Sequence, residues 1–348
     1  MNTGDIILKV ENLSIGFESD GRTVAITDDV SFEVRAGEMF GLVGESGCGK
    51  TVTCLALLKL LPTPGGRVIS GRILFQGRDI LRMDPPSLQK IRGEKVGMIF
   101  QEPGAALNPL LTVQQQLQEC FRYHPYNGDH RERMFYLLKR VGFADPQRTL
   151  NMYPHELSGG MRQRIMIAMA LTLNPDLLIA DEPTTAVDVT IQSQIMELLV
   201  GLQDEFRTAI ILVTHNLNLI AQYAHQLAVM YAGRIVEHGA VPDFVRQPLH
   251  PYSVGLLAAL PDLHSESRDL RAIPGQVPRP ADYAPGCCFR ERCPYAFEAC
   301  IQRPGLLARG DTRVACHLYD PAVAAAHGKE RIIVRKEAYA APAGKAAR

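Results

Sequence analysis

The segment Gly44-Glu45-Ser46-Gly47-Cys48-Gly49-Lys50-Thr51 decides how this chain is read. It fits the phosphate-loop pattern G-x-x-x-x-G-K-[ST] at every specified position. Its flanks fit too: Met39-Phe40-Gly41-Leu42-Val43 reads as a short buried strand, and Val52 to Leu61 reads as a helix. A strand, a glycine turn and a helix start aim successive backbone N–H groups at one point, where the helix dipole also favours negative charge. Glycine is needed because a Cβ would block both the turn and the close approach of a phosphate. Gly44 to Gly49 would form the cradle, Lys50 would reach the terminal phosphates, and the Thr51 hydroxyl would take one place on Mg²⁺. Cys48 lies beside Lys50 and a helix start, which favours thiolate. Alkylation there is expected to block binding of the phosphate-bearing ligand, with the bound ligand protecting. The plain alternative, a glycine turn that only links strand to helix, accounts for neither the lysine nor the hydroxyl that follows it.

The chain has 348 residues, enough for two domains or one large domain with an appendage. Lys+Arg and Asp+Glu both number 37, so the formal net charge is zero, which argues against nucleic acid held on a broad basic surface. No apolar run approaches the ~18 residues that a membrane span needs. The first residues, Met1-Asn2-Thr3-Gly4-Asp5, lack the basic start and apolar core of a signal peptide. A cytosolic protein is expected, touching a membrane only through a partner. Eight cysteines in such a chain point to metal or redox chemistry more than to disulfides.

Further along, Ile6 to Phe17 partly alternates and reads as strand, as does Ser31 to Val34. Phe17 is a candidate platform for a base, or simply a packed strand residue. Short strands are also expected at Arg72 to Phe75 and Val96 to Phe100, the second ending at Gln101. From about Leu110 to Leu157 the pattern turns helical and polar. Leu177 to Ala180 is a compact apolar run ending in Asp181 and Glu182, Ile191 to Phe206 an amphipathic helix, and Ala209 to Thr214 a second apolar run ending at His215. Alternating strands and helices of this kind predict a parallel sheet covered on both faces, with ligands beyond the strand C-termini. Asp181 is assigned to Mg²⁺ and Glu182, pointing the other way, to the attacking water as base or orienter. Gln101 would contact Mg²⁺ and water, and His215 the γ-phosphate.

A second glycine turn, Leu157-Ser158-Gly159-Gly160-Met161-Arg162-Gln163, opens another apolar helix. Ser158 can cap it and its glycines free N–H groups for an anion, but it has no lysine and no nearby carboxylates. It suits closing over a nucleotide held by another subunit. Here the chain resembles the ATP-binding cassette (ABC) proteins, with the phosphate loop, Gln101, this signature, the Leu177 to Glu182 strand, Ala186-Val187-Asp188 and His215 in that family's order. The family usually has Leu where this chain has Val187. The resemblance spans about residues 6 to 245. It implies an α/β phosphate-loop NTPase core with an antiparallel β subdomain and a helical insert at about residues 105–170. It also implies two cassettes with nucleotide between them, contacted in trans by Ser158, Gly159, Gly160 and Asp188, and Phe17 stacked on adenine.

Composition shifts near Leu249, where Pro and Gly become frequent. Leu249-His250-Pro251-Tyr252 and the segment Gly286-Cys287-Cys288-Phe289-Arg290-Glu291-Arg292-Cys293-Pro294 resemble the extension of oligopeptide and dipeptide importer ATPases. The division expected is 1–248 for the ATPase domain, 249–320 for a small cysteine-rich C-terminal module and 321–348 for a loosely ordered tail. Cys287, Cys293, Cys300 and Cys316 could close around one metal, either zinc or an iron–sulfur cluster, with Cys288 pointing away and His317 a lesser alternative. The spacings lack the tight knuckles of zinc ribbons, and buried free thiols are the competing reading. The resemblance favours a 4Fe–4S cluster, whose role would be structural or else redox or sensing.

The function implied is the ATPase subunit of a membrane importer for di- or oligopeptides, seated on the cytoplasmic face of the membrane. Its partners would be two membrane permease subunits, a second ATPase subunit and, indirectly, an extracytoplasmic solute-binding protein, with no nucleic acid. Nickel chelates and glutathione are other solutes the resemblance allows. A soluble mechanical cassette ATPase would carry long coiled-coil insertions or two fused cassettes, and neither is present. A small-molecule kinase would leave Glu182 and the Ser158 turn without a purpose.

Overall fold

A computed structural model describes residues 4–19, 21–185, 189–260, 272–329 and 334. Its strands are β1 (Ile6–Ser19), β2 (Arg22–Arg35), β3 (Met39–Val43), β4 (Gly66–Phe75), β5 (Arg78–Asp79), β6 (Val96–Ile99), β7 (Leu177–Asp181), β8 (Ala209–Thr214), β9 (Gln226–Tyr231), β10 (Arg234–Ala240), β11 (Leu307–Arg309) and β12 (Thr312–Val314). They form an antiparallel sheet in the order β2-β1-β4-β5 and a larger mixed sheet in the order β11-β12-β10-β9-β3-β8-β7-β6. Within the larger sheet β6, β7, β8, β3 and β9 run parallel. Every residue of β3, β7 and β8 is buried, which is why those stretches read as unbroken apolar runs rather than alternating ones.

Register sets the site. Val43 lies opposite Thr214, and Asp181 opposite Val213. Three strands therefore end side by side, and Ile99 of β6, paired with Ala180, brings Gln101 to the same edge. Between β6 and β7 the chain is helical, with helices Val113–Tyr123, His130–Arg140 and Gly159–Ala170 contributing Leu117, Leu137 and Ile165 to the main core. The antiparallel sheet packs over a second core that contains Cys48, Cys54 and Leu57 of the phosphate-loop region.

The helix after the loop is shorter than its sequence predicts, spanning Lys50–Leu57. Lys59 turns left-handed (φ 51°) and Leu60 N–H reaches back to the Leu55 carbonyl at 2.8 Å. Arg92 then closes the end, its guanidinium donating to the Leu58 and Lys59 carbonyls. Apolar residues continue past the stop, so periodicity alone could not mark it.

The C-terminal segment joins the larger sheet, because β12 pairs with β10 through Glu237↔Val314 and His238↔Arg313. Helix Pro251–Ala258 is fixed at its start by buried Glu237, whose carboxylate accepts N–H bonds from Leu249 and His250 at 2.8 Å each. His250 caps the same helix by accepting from Tyr252 N–H through Nδ1 at 3.0 Å. Of the tail, Pro321–Ala326 forms a short helix capped by Asp320, and most of the remainder lies outside the described residues.

His250 is 1% exposed, and burial lowers its pKa to about 3. An unfolded histidine titrates near ~6.5, so below that pH only the unfolded chain gains the proton. The stabilisation is therefore complete above pH ~6.5 and is lost as pH falls toward the folded value, by up to about 1.4 kcal/mol per pH unit. His250→Asn keeps a capping oxygen but cannot titrate. Urea unfolding should show the variant losing about 2 kcal/mol less stability than wild type between pH ~7 and ~5; parallel curves would contradict this.

Candidate nucleotide site

The phosphate loop owes its shape to close packing. A Cβ on Gly44 would stand 2.1 Å from the Met230 carbonyl oxygen, and Gly49, which caps the following helix, has φ 104°. Lys50 is 5% exposed and its Nζ donates to the Gly44 and Glu45 carbonyls at 2.8 and 3.0 Å. An ammonium held across the loop's mouth in this way is ready to exchange carbonyl oxygens for phosphate oxygens.

Across the cleft, the Thr51 hydroxyl donates to Asp181 Oδ1 at 3.1 Å. Asp181 is 2% exposed, and burial pushes its carboxyl above the usual range. A buried carboxylate beside a threonine hydroxyl is an oxygen donor set suited to Mg²⁺. The next residue, Glu182, sits at φ 46°, a strained backbone for a non-glycine, and its N–H is bonded to the Val213 carbonyl at 2.9 Å. That conformation turns its carboxylate into the cleft. Glu182 Oε2 accepts from Gln101 Nε2 at 3.2 Å and from the Thr185 hydroxyl at 2.8 Å, while Oε1 lies 3.3 Å from His215 Nδ1. Gly44, Glu45, Ser46, Gln101, Glu182 and His215 line one open cleft together with Leu217 and Leu256.

The structure thus brings Lys50, Thr51, Gln101, Asp181, Glu182 and His215 to one strand edge. Phe17 lies apart on β1, half-buried between Val24 and Gly66, and the missing Cβ of Gly66 makes room for its ring. Ser158 caps helix Gly159–Ala170, its Oγ accepting from Met161 N–H at 3.3 Å; Ser158 and Gly159 are exposed and Gly160 is half-buried. Asp188 lies outside the described residues. Thr185, Tyr252, Leu256 and Arg292 are contributors that sequence reading missed. Tyr252 and Arg292 meet the loop across 207 and 247 residues, and no local pattern spans such a separation.

Two expectations are corrected. Cys48 is fully buried, and burial pushes its thiol up despite Lys50 nearby, so it is neither a thiolate nor an accessible nucleophile. The 4Fe–4S or zinc centre is also not borne out: among the described residues no group of three or more His, Cys, Asp or Glu side chains is placed to hold a metal. Cys287, Cys300 and Cys316 are buried free thiols in hydrophobic clusters, and Cys293 packs at the edge of one. Burial raises Cys287, Cys293 and Cys316, with Cys293 reaching about 12. They behave as small apolar residues.

Comparison with known proteins agrees with this geometry. Residues 27–185 match the ABC transporter family, and residues 236–300 match the oligopeptide/dipeptide transporter C-terminal region. The oligopeptide transport ATP-binding protein OppD of Salmonella typhimurium is 45% identical over 315 residues, covering 90% of this chain and 93% of that one. The chain belongs to the ABC transporter ATPases. Two further relatives at 44% identity are the oligopeptide transport protein AppD of Bacillus subtilis, with 90% of this chain and 97% of the relative covered, and a probable peptide ABC transporter ATP-binding protein of Sinorhizobium fredii, at 87% and 92%. Among solved structures, a dimeric ATP-binding cassette in a post-hydrolysis state with ADP and Pi matches with a TM-score of 0.60 at 27% identity, over 67% of this chain and 98% of the other. Among the described residues of this ABC ATPase, no helix is long and apolar enough to cross a membrane.

Burial of Cys48 predicts slow chemistry at the loop. A soluble thiol reagent at pH ~8 should modify native Cys48 about 100-fold more slowly than the unfolded chain, with or without Mg-ATP. Fast labelling that nucleotide prevents would restore the thiolate expectation.

Proposed function

We propose that this ABC ATPase is the energy-supplying subunit of an importer for di- or oligopeptides, working at the cytoplasmic face of the membrane. The observation that carries the catalytic half is the convergence of Gln101, Thr185 and His215 on Glu182, beside the Lys50–Thr51–Asp181 group. The peptide half rests on the C-terminal match and on the printed names of relatives about 45% identical.

In this reading the loop N–H groups and Lys50 bind the β- and γ-phosphates, and Phe17 stacks on the base. Thr51, Asp181 and Gln101 would hold Mg²⁺, which when bound neutralises charge on the phosphates. Glu182, held at both oxygens, orients the attacking water and accepts its proton. His215 has 61% of its side chain exposed, so it is free to leave Glu182 for the γ-phosphate. Ser158, Gly159, Gly160 and Asp188 would complete the site on a second cassette, either another copy or a paralogue. Moving a two-state dimer from mostly open to mostly closed takes a preference of about 5.5 kcal/mol, and two sites completed only on closure could supply it. Two permease subunits, contacted by the helical insert, would be driven by that closure, and an extracytoplasmic binding protein would deliver the solute. Residues 249–320 would form the extension that marks this importer class.

Glu182→Gln should bind ATP with near wild-type affinity, lower kcat by about 100-fold or more and accumulate ATP-bound dimer on size exclusion. Wild-type specific activity should rise with protein concentration, and Ser158→Arg should suppress it without weakening ATP binding by the monomer. Near-normal turnover by Glu182→Gln, or full activity in a strict monomer, would overturn the mechanism.

A further inference from the structure

The phosphate loop carries one acidic side chain, Glu45, five residues before Lys50 and on the wall of the nucleotide cleft. A carboxylate there opposes a polyphosphate by simple repulsion, and the effect is strong where water is partly excluded. The answer to that charge comes from the far end of the chain. Arg292 Nη1 lies 3.1 Å from both Glu45 oxygens, with only 7% of the arginine side chain exposed against 30% for the glutamate. Helix Pro251–Ala258 supplies a second hold, the Tyr252 hydroxyl accepting the Glu45 backbone N–H at 2.9 Å.

Neither group is free to drift. Arg292 also donates through Nε to the Pro274 carbonyl at 2.8 Å, and its guanidinium lies 5.7 Å from the Tyr231 ring centre and 6.0 Å from that of Phe289. Tyr252 is fully buried, its ring 4.6 Å from Tyr231 and 5.4 Å from Phe289. Tyr231 ends β9, and the Met230 carbonyl beside it is the one against which Gly44 packs. Both holds on Glu45 are therefore referred to the sheet that carries the loop. Glu45 also offers its carbonyl to Lys50 Nζ, so a shift of Glu45 moves the lysine's resting partner.

We propose that the C-terminal segment is part of the nucleotide site, with Arg292 and Tyr252 as positioning residues that hold Glu45. Arg292 cancels the charge that would repel the phosphates, and Tyr252 fixes the backbone of the loop's first turn. The inference rests on the reading of this cleft as an ATP site. It has a reciprocal consequence, because a segment that favours ATP binding must itself be tightened by ATP.

The test is equilibrium binding of Mg-ATP, ADP and AMP to the full-length protein. Arg292→Met should weaken Mg-ATP by about 10-fold, ADP less and AMP least, with the loss shrinking at high salt. Adding Glu45→Gln to Arg292→Met should return Mg-ATP affinity to within about 3-fold of wild type, because the unpaired charge is then gone. In turnover the loss should fall on KM more than on kcat. Amide exchange across residues 272–300 should slow when Mg-ATP binds. Should Arg292→Met fail to fold, Tyr252→Phe preserves the ring packing and is read instead, with weaker Mg-ATP binding expected. Unchanged Mg-ATP affinity in folded Arg292→Met, equal losses for all three nucleotides, or no rescue by Glu45→Gln would overturn the proposal. If wild type fails to bind Mg-ATP, or Lys50→Ala binds it as well as wild type does, the ATP reading itself falls.

Discussion

Parallel strands ending in step are the constraint on which this molecule depends. Val43, Thr214 and Asp181 reach one edge because β3, β8 and β7 pair in parallel with a fixed register, and β6 adds Gln101 beside them. Burial on both faces holds that register, since a one-residue slip would exchange the face each side chain occupies. The site needs groups from four strands within a few ångströms, and their sequence separations are bridged only by the sheet. The left-handed turn at Glu182 is a local departure from ease that this frame tolerates, and it aims the carboxylate into the cleft.

The C-terminal segment extends the same logic. It contributes two strands to the sheet edge, hangs a helix on buried Glu237 and presses Tyr252 and Arg292 beneath the phosphate loop. A family-specific extension attached in this way bears directly on the site where nucleotide would bind. Coupling between the two is then a matter of shared contacts, not of transmission over distance.

The cysteines show how burial outweighs proximity. Lys50 lies 3.8 Å from Cys48 Sγ and by itself would favour a thiolate, yet desolvation is the larger effect and pushes the thiol up. Counting the cysteines near the C-terminus suggested ligands. In the structure Cys287 and Cys300 are buried in the main core and Cys316 in a smaller one, where a sulfur packs as a small apolar group.

The sequence by itself determined much of this protein. The phosphate loop with its flanking strand and helix, the apolar runs that became β7 and β8, the polar groups at their ends, and the cap at Ser158 are all local patterns. Each follows from bonds and periodicities spanning a few residues, so each could be read in order along the chain. Helix ends were less legible, as at Leu57, where a distant arginine helps to close the last turn. Only the tertiary structure decided that Tyr252 reaches the phosphate loop and that Arg292 answers Glu45. The same is true of the buried state of Cys48. Those outcomes depend on which surfaces meet and how much water they exclude, and that is a property of the packed sheet, not of neighbours in sequence.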